Sequence, residues 1–158
     1  MIQGKWFAQG SDLREVLAVR GAVFSREQDP LDAESWNVLV YQDEVPAACG
    51  RLWWRDGAFR LGDLGVLEAY RGRKLGDLVL RLLLFKAQGH YAREVRLACP
   101  ESLCGFFARL GFRPDPDAAP AGNGASGAPL TEMVLPGDEI NLDSCASCKK
   151  ASCPNRVS

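Results

Sequence analysis

Apolar and polar positions alternate along this chain in two rhythms, one helical and one with a period of two. Ser11-Asp12 has the composition of a helix start, with Ser11 as cap and Glu15 close behind. Leu13, Val16, Leu17, Arg20, Phe24 and Glu27 then fall near one helical face. Spacing alone places the two charged members, Arg20 and Glu27, at the rim of the stripe with their heads in water. The alternative is that both heads point into a polar cavity. Val38–Tyr41, a turn at Gln42–Glu44 and the run from Val45 to Trp54 read as an antiparallel hairpin. Asp56-Gly57 makes a second turn, and Phe59 to Leu67 a third strand. The period then lengthens: Leu75, Leu78, Val79, Leu82 and Leu83 mark an amphipathic helix. Leu80 and Leu84 lie off that stripe, which predicts burial on more than one side. Glu94 to Cys99 alternates as a strand ending at Pro100, and residues 101–110 read as a short helix closed by Gly111. Residues 114–129 hold four prolines and three glycines and read as a long loop, followed by a last strand from Thr131 to Leu135. A strand–helix–strand crossover over residues 59–99 requires one parallel pair. The expected fold is therefore α/β (α+β), a mixed, mostly antiparallel sheet flanked by helices.

Composition narrows the function without naming it. The chain has 158 residues, 47% of them hydrophobic and 25% charged, in the ordinary globular range. Its 19 basic and 20 acidic side chains leave a net charge of −1, which argues against a broad nucleic-acid footprint. No apolar run approaches the ~18 residues of a membrane span, and Met1–Trp6 lacks the charged start and apolar stretch of a signal peptide. A cytoplasmic protein with neither a nucleic-acid nor a membrane partner is expected.

One segment breaks helix physics. Arg71-Gly72-Arg73-Lys74-Leu75-Gly76 joins a strand to the apolar helix and places three cations at its positive end, where each is disfavoured by ~0.3–1 kcal/mol. Two glycines in the same turn let backbone approach a ligand closely. Amides, dipole and basic side chains together make an anion site. The Gly-x-x-x-x-Gly-Lys-Ser/Thr loop and the Gly-x-Gly-x-x-Gly fingerprint are both missing from it.

Leu64 to Gly76 resembles the acetyl-CoA signature of the GNAT N-acetyltransferase superfamily, a strand ending in Val, a short turn, then Arg/Gln-x-x-Gly-x-Gly/Ala. Three further segments agree in order. Gly105 to Phe112 is similar to the family's Phe-Tyr-x-x-x-Gly-Phe, and Arg20 to Gln28 to an Arg-x-x-Val-Phe-x-x-Glu-Gln stretch of its first helix. Gly127 to Met133 resembles a Gly-x-Pro-His-x-x-Met stretch before the last strand. Lys74 stands where the signature has its middle glycine, as in relatives of the ElaA-like branch. Phe107 stands where many members have a Tyr that protonates the departing thiolate.

The resemblance implies acetyl-CoA as co-substrate and direct attack by a primary amine on its thioester. Arg71, Gly72, Arg73, Lys74, Leu75 and Gly76 would hold the pyrophosphate, Leu64 and Val66 would align the pantetheine arm, and Phe107 would pack against the cofactor. Glu27 and Asp63 are the candidate bases for stripping the acceptor ammonium, with a structural ion pair the alternative role for either carboxylate. Asp63 is expected on the face of its strand opposite Gly62 and Leu64. Glu27, Asp29, Asp32 and Glu34 give the substrate lip an acidic character that suits a small-molecule or peptide amine, and Trp36, Trp53 and Trp54 are available to line it. His90, the single histidine, belongs at a helix end and offers no triad. Homodimerisation through the last strands is a further family-level implication.

The six cysteines divide unevenly. Cys99 and Cys104 read as small core residues, with Cys49 the third of a scattered set, while Cys145, Cys148 and Cys153 crowd the last fourteen residues. Their spacing suits thiolate metal ligands, although a structural zinc site takes a fourth; the alternative is a mobile polar tail with exposed thiols. The expected division is an acetyltransferase domain over residues 1–136 and a Cys-rich tail over 137–158. A non-catalytic acyl-CoA-binding or redox- or metal-sensing module using that tail is the alternative function.

Overall fold

In the computed structural model of the chain, which describes residues 1–119, 121–124 and 127–142, two tight turns set the register of the sheet. Asp43 and Glu44 both have positive φ, 49° and 71°, the mirror-image turn that matches strand twist. They join β2 (Trp36–Gln42) to β3 (Val45–Arg55). Asp56 and Gly57, at 53° and 80°, repeat the device between β3 and β4 (Ala58–Val66). Both hairpins thus stand where the alternation placed them. A strand that the pattern does not announce, β1 (Ile2–Phe7), pairs with β2 at the sheet edge. Its residues through Lys5 are exposed, so no inside-outside alternation marks it.

After β4 the chain enters α2 (Leu75–Gly89), returns along β5 (Glu94–Pro100), and turns into α3 (Glu101–Ala108). A short piece, β6 (Arg113–Pro114), and a full strand, β7 (Leu130–Pro136), complete a seven-stranded sheet in the order β1-β2-β3-β4-β5-β7-β6. Among the described residues β4 and β5 form the one parallel pair, as the crossover requires. Leu75, Val79, Leu80, Leu83, Leu84 and Ala87 of α2 are fully buried against Ala48, Leu52, Leu97 and Leu135 on one sheet face. Leu78 and Leu82 are only half-buried, so the buried face of α2 is rotated toward the Leu80–Leu84 side. Packing continues past residue 136, because Ile140 is buried in the same cluster.

The other face is covered by α1 (Arg14–Phe24), whose Val16 and Val19 pack on Leu39 and Cys49. Here the structure corrects the helix read from spacing. Leu13, not Ser11, occupies the cap position, and the Asp12 carboxylate accepts the Arg14 amide at 3.0 Å. At the other end Ser25 adopts the left-handed conformation (φ 54°) and its amide returns to the Gly21 carbonyl at 2.9 Å, which ends the helix. Glu27 therefore lies on an exposed loop beyond the helix and is not part of its stripe. Arg20 is not at a wet rim either: it is 1% exposed, with its guanidinium bonded to both oxygens of Asp32 at 2.8 Å. A charge tolerates such burial only when paired and hydrogen-bonded in this way.

Cys49 and Cys99 are buried and Cys104 half-buried, all as free thiols. Burial pushes the Cys49 thiol up to about 12, and burial together with the neighbouring Cys104 does the same to Cys99. His90 follows the end of α2, exposed and stacked on Trp36 at 4.8 Å. No helix among the described residues is long and apolar enough to cross a membrane, and no group of three potential ligands that could hold a metal occurs among them. Cys145, Cys148 and Cys153, the candidate metal ligands, lie outside the described residues.

Candidate active site

The sheet carries its own opening. β4 and β5 pair at Phe59↔Val95 and Arg60↔Arg96 and then part, while β5 continues to pair with β7 as far as Pro100↔Leu130. On its other side β4 follows β3 through a bulge, where Asp63 and Leu64 together face the single residue Gly50 between the pairs Arg51↔Gly62 and Cys49↔Gly65. Asp63 takes φ 49° there, and such an extra residue bends and twists the strand. The bend leaves a wedge between β4 and β5. Past the bulge the Leu67 amide turns back to the Ala47 carbonyl at 2.8 Å, so strand alternation aims the Val66 amide into the opening.

The mouth of the wedge is the start of α2. The first helical bond there runs from the Leu78 amide to the Lys74 carbonyl at 3.1 Å, and no side chain caps this end. The amides of Leu75, Gly76 and Asp77 are thus left without intrahelical partners at the positive pole of the helix. They front a cleft of about 190 Å³ whose walls include Val66, Tyr70, Lys74, Gly76, Phe106 and Arg109. A Cβ on Gly76 would stand 3.6 Å from both Phe106 and Val66, so any longer side chain there grows into the cleft. Arg71 and Arg73 stay exposed: Arg71 Nε donates to the Val66 carbonyl at 3.2 Å, and the Arg73 guanidinium sits 5.4 Å over the Tyr70 ring. Lys74 is left-handed at φ 63°. An uncapped helix start ringed by cations fits a phosphate-bearing ligand.

The cofactor-binding residues read from sequence therefore gather around the end of β4 and the start of α2, with one exception of orientation. Phe107 is 6% exposed and packs edge-on against Phe106 and Phe112, at 5.0 and 5.9 Å. Its neighbour Phe106 forms the cleft wall. Neither Phe106 nor Arg109 is singled out by spacing alone, since which face α3 presents depends on the strands beneath it.

The lip of the site differs most from the sequence reading. Asp29 and Asp32 are not free acids: Asp29 holds Arg51 through both oxygens at 2.7 and 2.9 Å, and Asp32 holds Arg20. Burial alone would raise the Asp32 carboxyl, but the Arg20 hydrogen bonds, the Asp29 amide and the charges of Arg20 and Arg51 hold it well below the usual range. Glu34 pairs with Arg55 at 3.3 Å. Among the described residues Glu27 has no ion-pair partner, so the lip presents one free carboxylate where four are expected. Trp36 and Trp54 do not line it. They pack with His90 and Phe59 at the C-terminal end of α2, opposite the cradle. Trp53 adjoins the bulge, 5.3 Å from the Arg51 guanidinium and against Gly62. The expected alternation is also broken at Asp63: its side chain meets Arg20 and Arg51 on the same face as Trp53, the face to which Gly62 turns.

Comparison with known proteins agrees with this geometry. The model of the acetyltransferase (GNAT) domain matches residues 34–114, half of the chain. The chain is 28% identical over 109 residues to the uncharacterized N-acetyltransferase YjcF of Bacillus subtilis, covering 64% of this chain and 78% of that protein. An acyl-CoA N-acyltransferase from Pseudomonas aeruginosa superposes with a TM-score of 0.74 at 20% identity, over 85% of this chain and 99% of that one. Escherichia coli ElaA superposes with a TM-score of 0.69 at 21% identity, over 85% and 99%. With the wedge, the uncapped helix start and the family match in agreement, the chain belongs to the GNAT acetyltransferases, which move an acyl group from acyl-CoA to an amine.

Proposed function

We propose that this chain transfers an acetyl group from acetyl-CoA to a primary amine, of a small molecule or a peptide, by direct attack. The observation that carries the reading is the set of amides at Leu75–Asp77 without partners among the described residues, opening onto a wedge lined by Val66. When bound, acetyl-CoA supplies an activated thioester. The Leu75–Asp77 amides receive its diphosphate, and Arg71, Arg73 and Lys74 add positive charge around it. Leu64 and Val66 present the β4 edge to the pantetheine arm, and in this reading the Val66 amide donates to the thioester carbonyl. Glu27, the free carboxylate of the lip, accepts the proton of the acceptor ammonium, directly or through water. No step needs a hydroxyl at position 107, because a thiol of pKa ~8.5 leaves as thiolate near neutral pH.

Free thiol should appear on mixing the protein with acetyl-CoA and a panel of primary amines, and only when both are present. Calorimetry that finds no binding of acetyl-CoA would refute the cradle. Binding without thiol release to any amine would refute catalysis and leave a binding module.

A further inference from the structure

Behind the bulge lies a closed set of charges that the reaction above does not consume. The Asp63 side chain is 6% exposed, and its oxygens stand 2.7 and 2.9 Å from the Arg26 guanidinium, 2.9 Å from Arg51 Nε and 3.6 Å from Arg20 Nε. Arg51 is in turn gripped by Asp29, and lies 3.2 Å from Asp32, which holds Arg20. Three carboxylates and three guanidinium groups thereby tie together five stretches of chain: α1, the loop at 25–29, the short 3-10 turn Pro30–Glu34, β3, and the bulged part of β4. The Arg20 and Arg51 Nε groups, both buried, turn to Asp63 and to no hydrogen-bond partner of good geometry.

A base must take a proton from an ammonium and return it to solvent. Asp63 is out of solvent, and its lone pairs face guanidinium groups on every side that α1, the loop and β3 present to it. Arg26, which reaches it from the loop, is the sequence neighbour of Glu27, the one unpaired acid of the lip. Asp63 also sits, at the bulge, in a left-handed conformation costly for a residue with a Cβ. Gly65 locks the other side: a Cβ there would stand 2.8 Å from both Val23 and Phe24, so the end of α1 lies directly on the strand.

We propose that Asp63 is a positioning residue and not the base: through Arg26 and Arg51 it latches the loop carrying Glu27 onto the β4 bulge, aligning the proton acceptor with the strand edge that meets the thioester. What the aligned groups do rests on the acetyl-transfer reading; the latch itself is a property of the apo chain.

Arg26→Gln is the primary test, because Arg26 is half-exposed and its loss leaves the Arg20–Asp32 and Arg51–Asp29 pairs intact. Asp63→Asn and Glu27→Gln complete the set. In amide hydrogen exchange without substrate, the two hydrogen-bonded amides of the loop, Ser25 and Asp29, should exchange about ten-fold faster or more in Arg26→Gln, at nearly unchanged melting temperature. The Arg26→Gln/Asp63→Asn double variant should exchange no faster there than Asp63→Asn alone. Unchanged exchange in Arg26→Gln overturns the latch. In thiol-release kinetics, Arg26→Gln and Asp63→Asn should lower kcat about ten-fold while keeping the acid limb of the pH profile, and Glu27→Gln should lose that limb. An acid limb lost in Asp63→Asn but kept in Glu27→Gln makes Asp63 the base and overturns the assignment. Should the wild type release no thiol with any amine, the acetyl-transfer reading fails, and hydrogen exchange still decides the latch.

Discussion

Lys74 answers to two opposed demands. Its φ of 63° costs a non-glycine residue roughly 1–2 kcal/mol, and glycine would relieve most of that at a smaller entropic cost. Its ammonium, however, stands at the positive pole of α2, on the wall of the cleft. A cation in the least favourable place on a helix is explained by an anion that arrives there. Lys74→Gly should therefore stabilise the apo protein by about 0.5–1 kcal/mol while weakening acetyl-CoA several-fold, read by thermal denaturation and calorimetry on one preparation. Gly76 gives the complementary test. Its surroundings leave room for a methyl group, with Phe106 and Val66 at 3.6 Å from a built Cβ, so a larger side chain is accommodated by filling the cleft. Gly76→Glu should abolish acetyl-CoA binding with little change in melting temperature; retained affinity would place the diphosphate elsewhere.

At the scale of elements, the buried ion pairs join pieces that hydrophobic packing alone would leave loose. Asp32 is fully buried between Arg20 and Arg51 and forms a capping box with Asp29 at the start of the 3-10 turn. Asp32→Asn leaves two buried guanidinium groups short of a countercharge, an arrangement that costs about 3–5 kcal/mol. The same pair sets a pH dependence. Its folded carboxyl is held below the unfolded value of ~3.9, so the stabilisation is complete above about pH 4 and is lost as pH falls through the folded value. Urea midpoints of the wild type should fall steeply below about pH 4, and Asp32→Asn, weaker throughout, should show a shallower fall. None of this pairing was legible in the sequence, because Arg20, Asp32, Arg51 and Asp63 come from four separate elements. The charges are visible in a row of letters, but which one meets which depends on the bulge and on Ser25 ending α1 early. The cradle was legible for the opposite reason: Arg71 to Gly76 is contiguous, and its composition contradicts the helix it begins. Likewise the two hairpins followed from local turn chemistry, whereas β1, exposed on an edge, left no periodic trace.

For the whole molecule, the wedge has a closed end as well as an open one. Its two halves, β1–β4 and β5–β7, share only two paired positions along the β4–β5 seam. What reinforces that short seam is a polar lock on the face away from α2. Arg60 of β4 donates two bonds to Glu132 of β7, at 2.7 and 2.8 Å, spanning β5 between them. Arg96 of β5 meets the same carboxylate at 3.0 Å, Asp115 at 2.7 Å, and Glu94 as well. Burial would raise the Glu132 carboxyl, but the Arg60 and Arg96 bonds outweigh it and hold it low. The lock sits at the apex of the wedge, where a small rotation of one half becomes a larger displacement at the mouth. Glu132→Gln keeps the shape and one acceptor but gives up the charge, and a hydrogen bond to a charged partner is worth about 1.5–3 kcal/mol. The variant should lose about 1–2 kcal/mol of stability and also bind acetyl-CoA less tightly, although residue 132 stands apart from the phosphate cradle. Stability lost with affinity intact would show that α2 and the apolar core alone hold the wedge open. Loss of both would make the distance between the half-sheets, set at Arg60 and Glu132, part of how this chain grips its co-substrate.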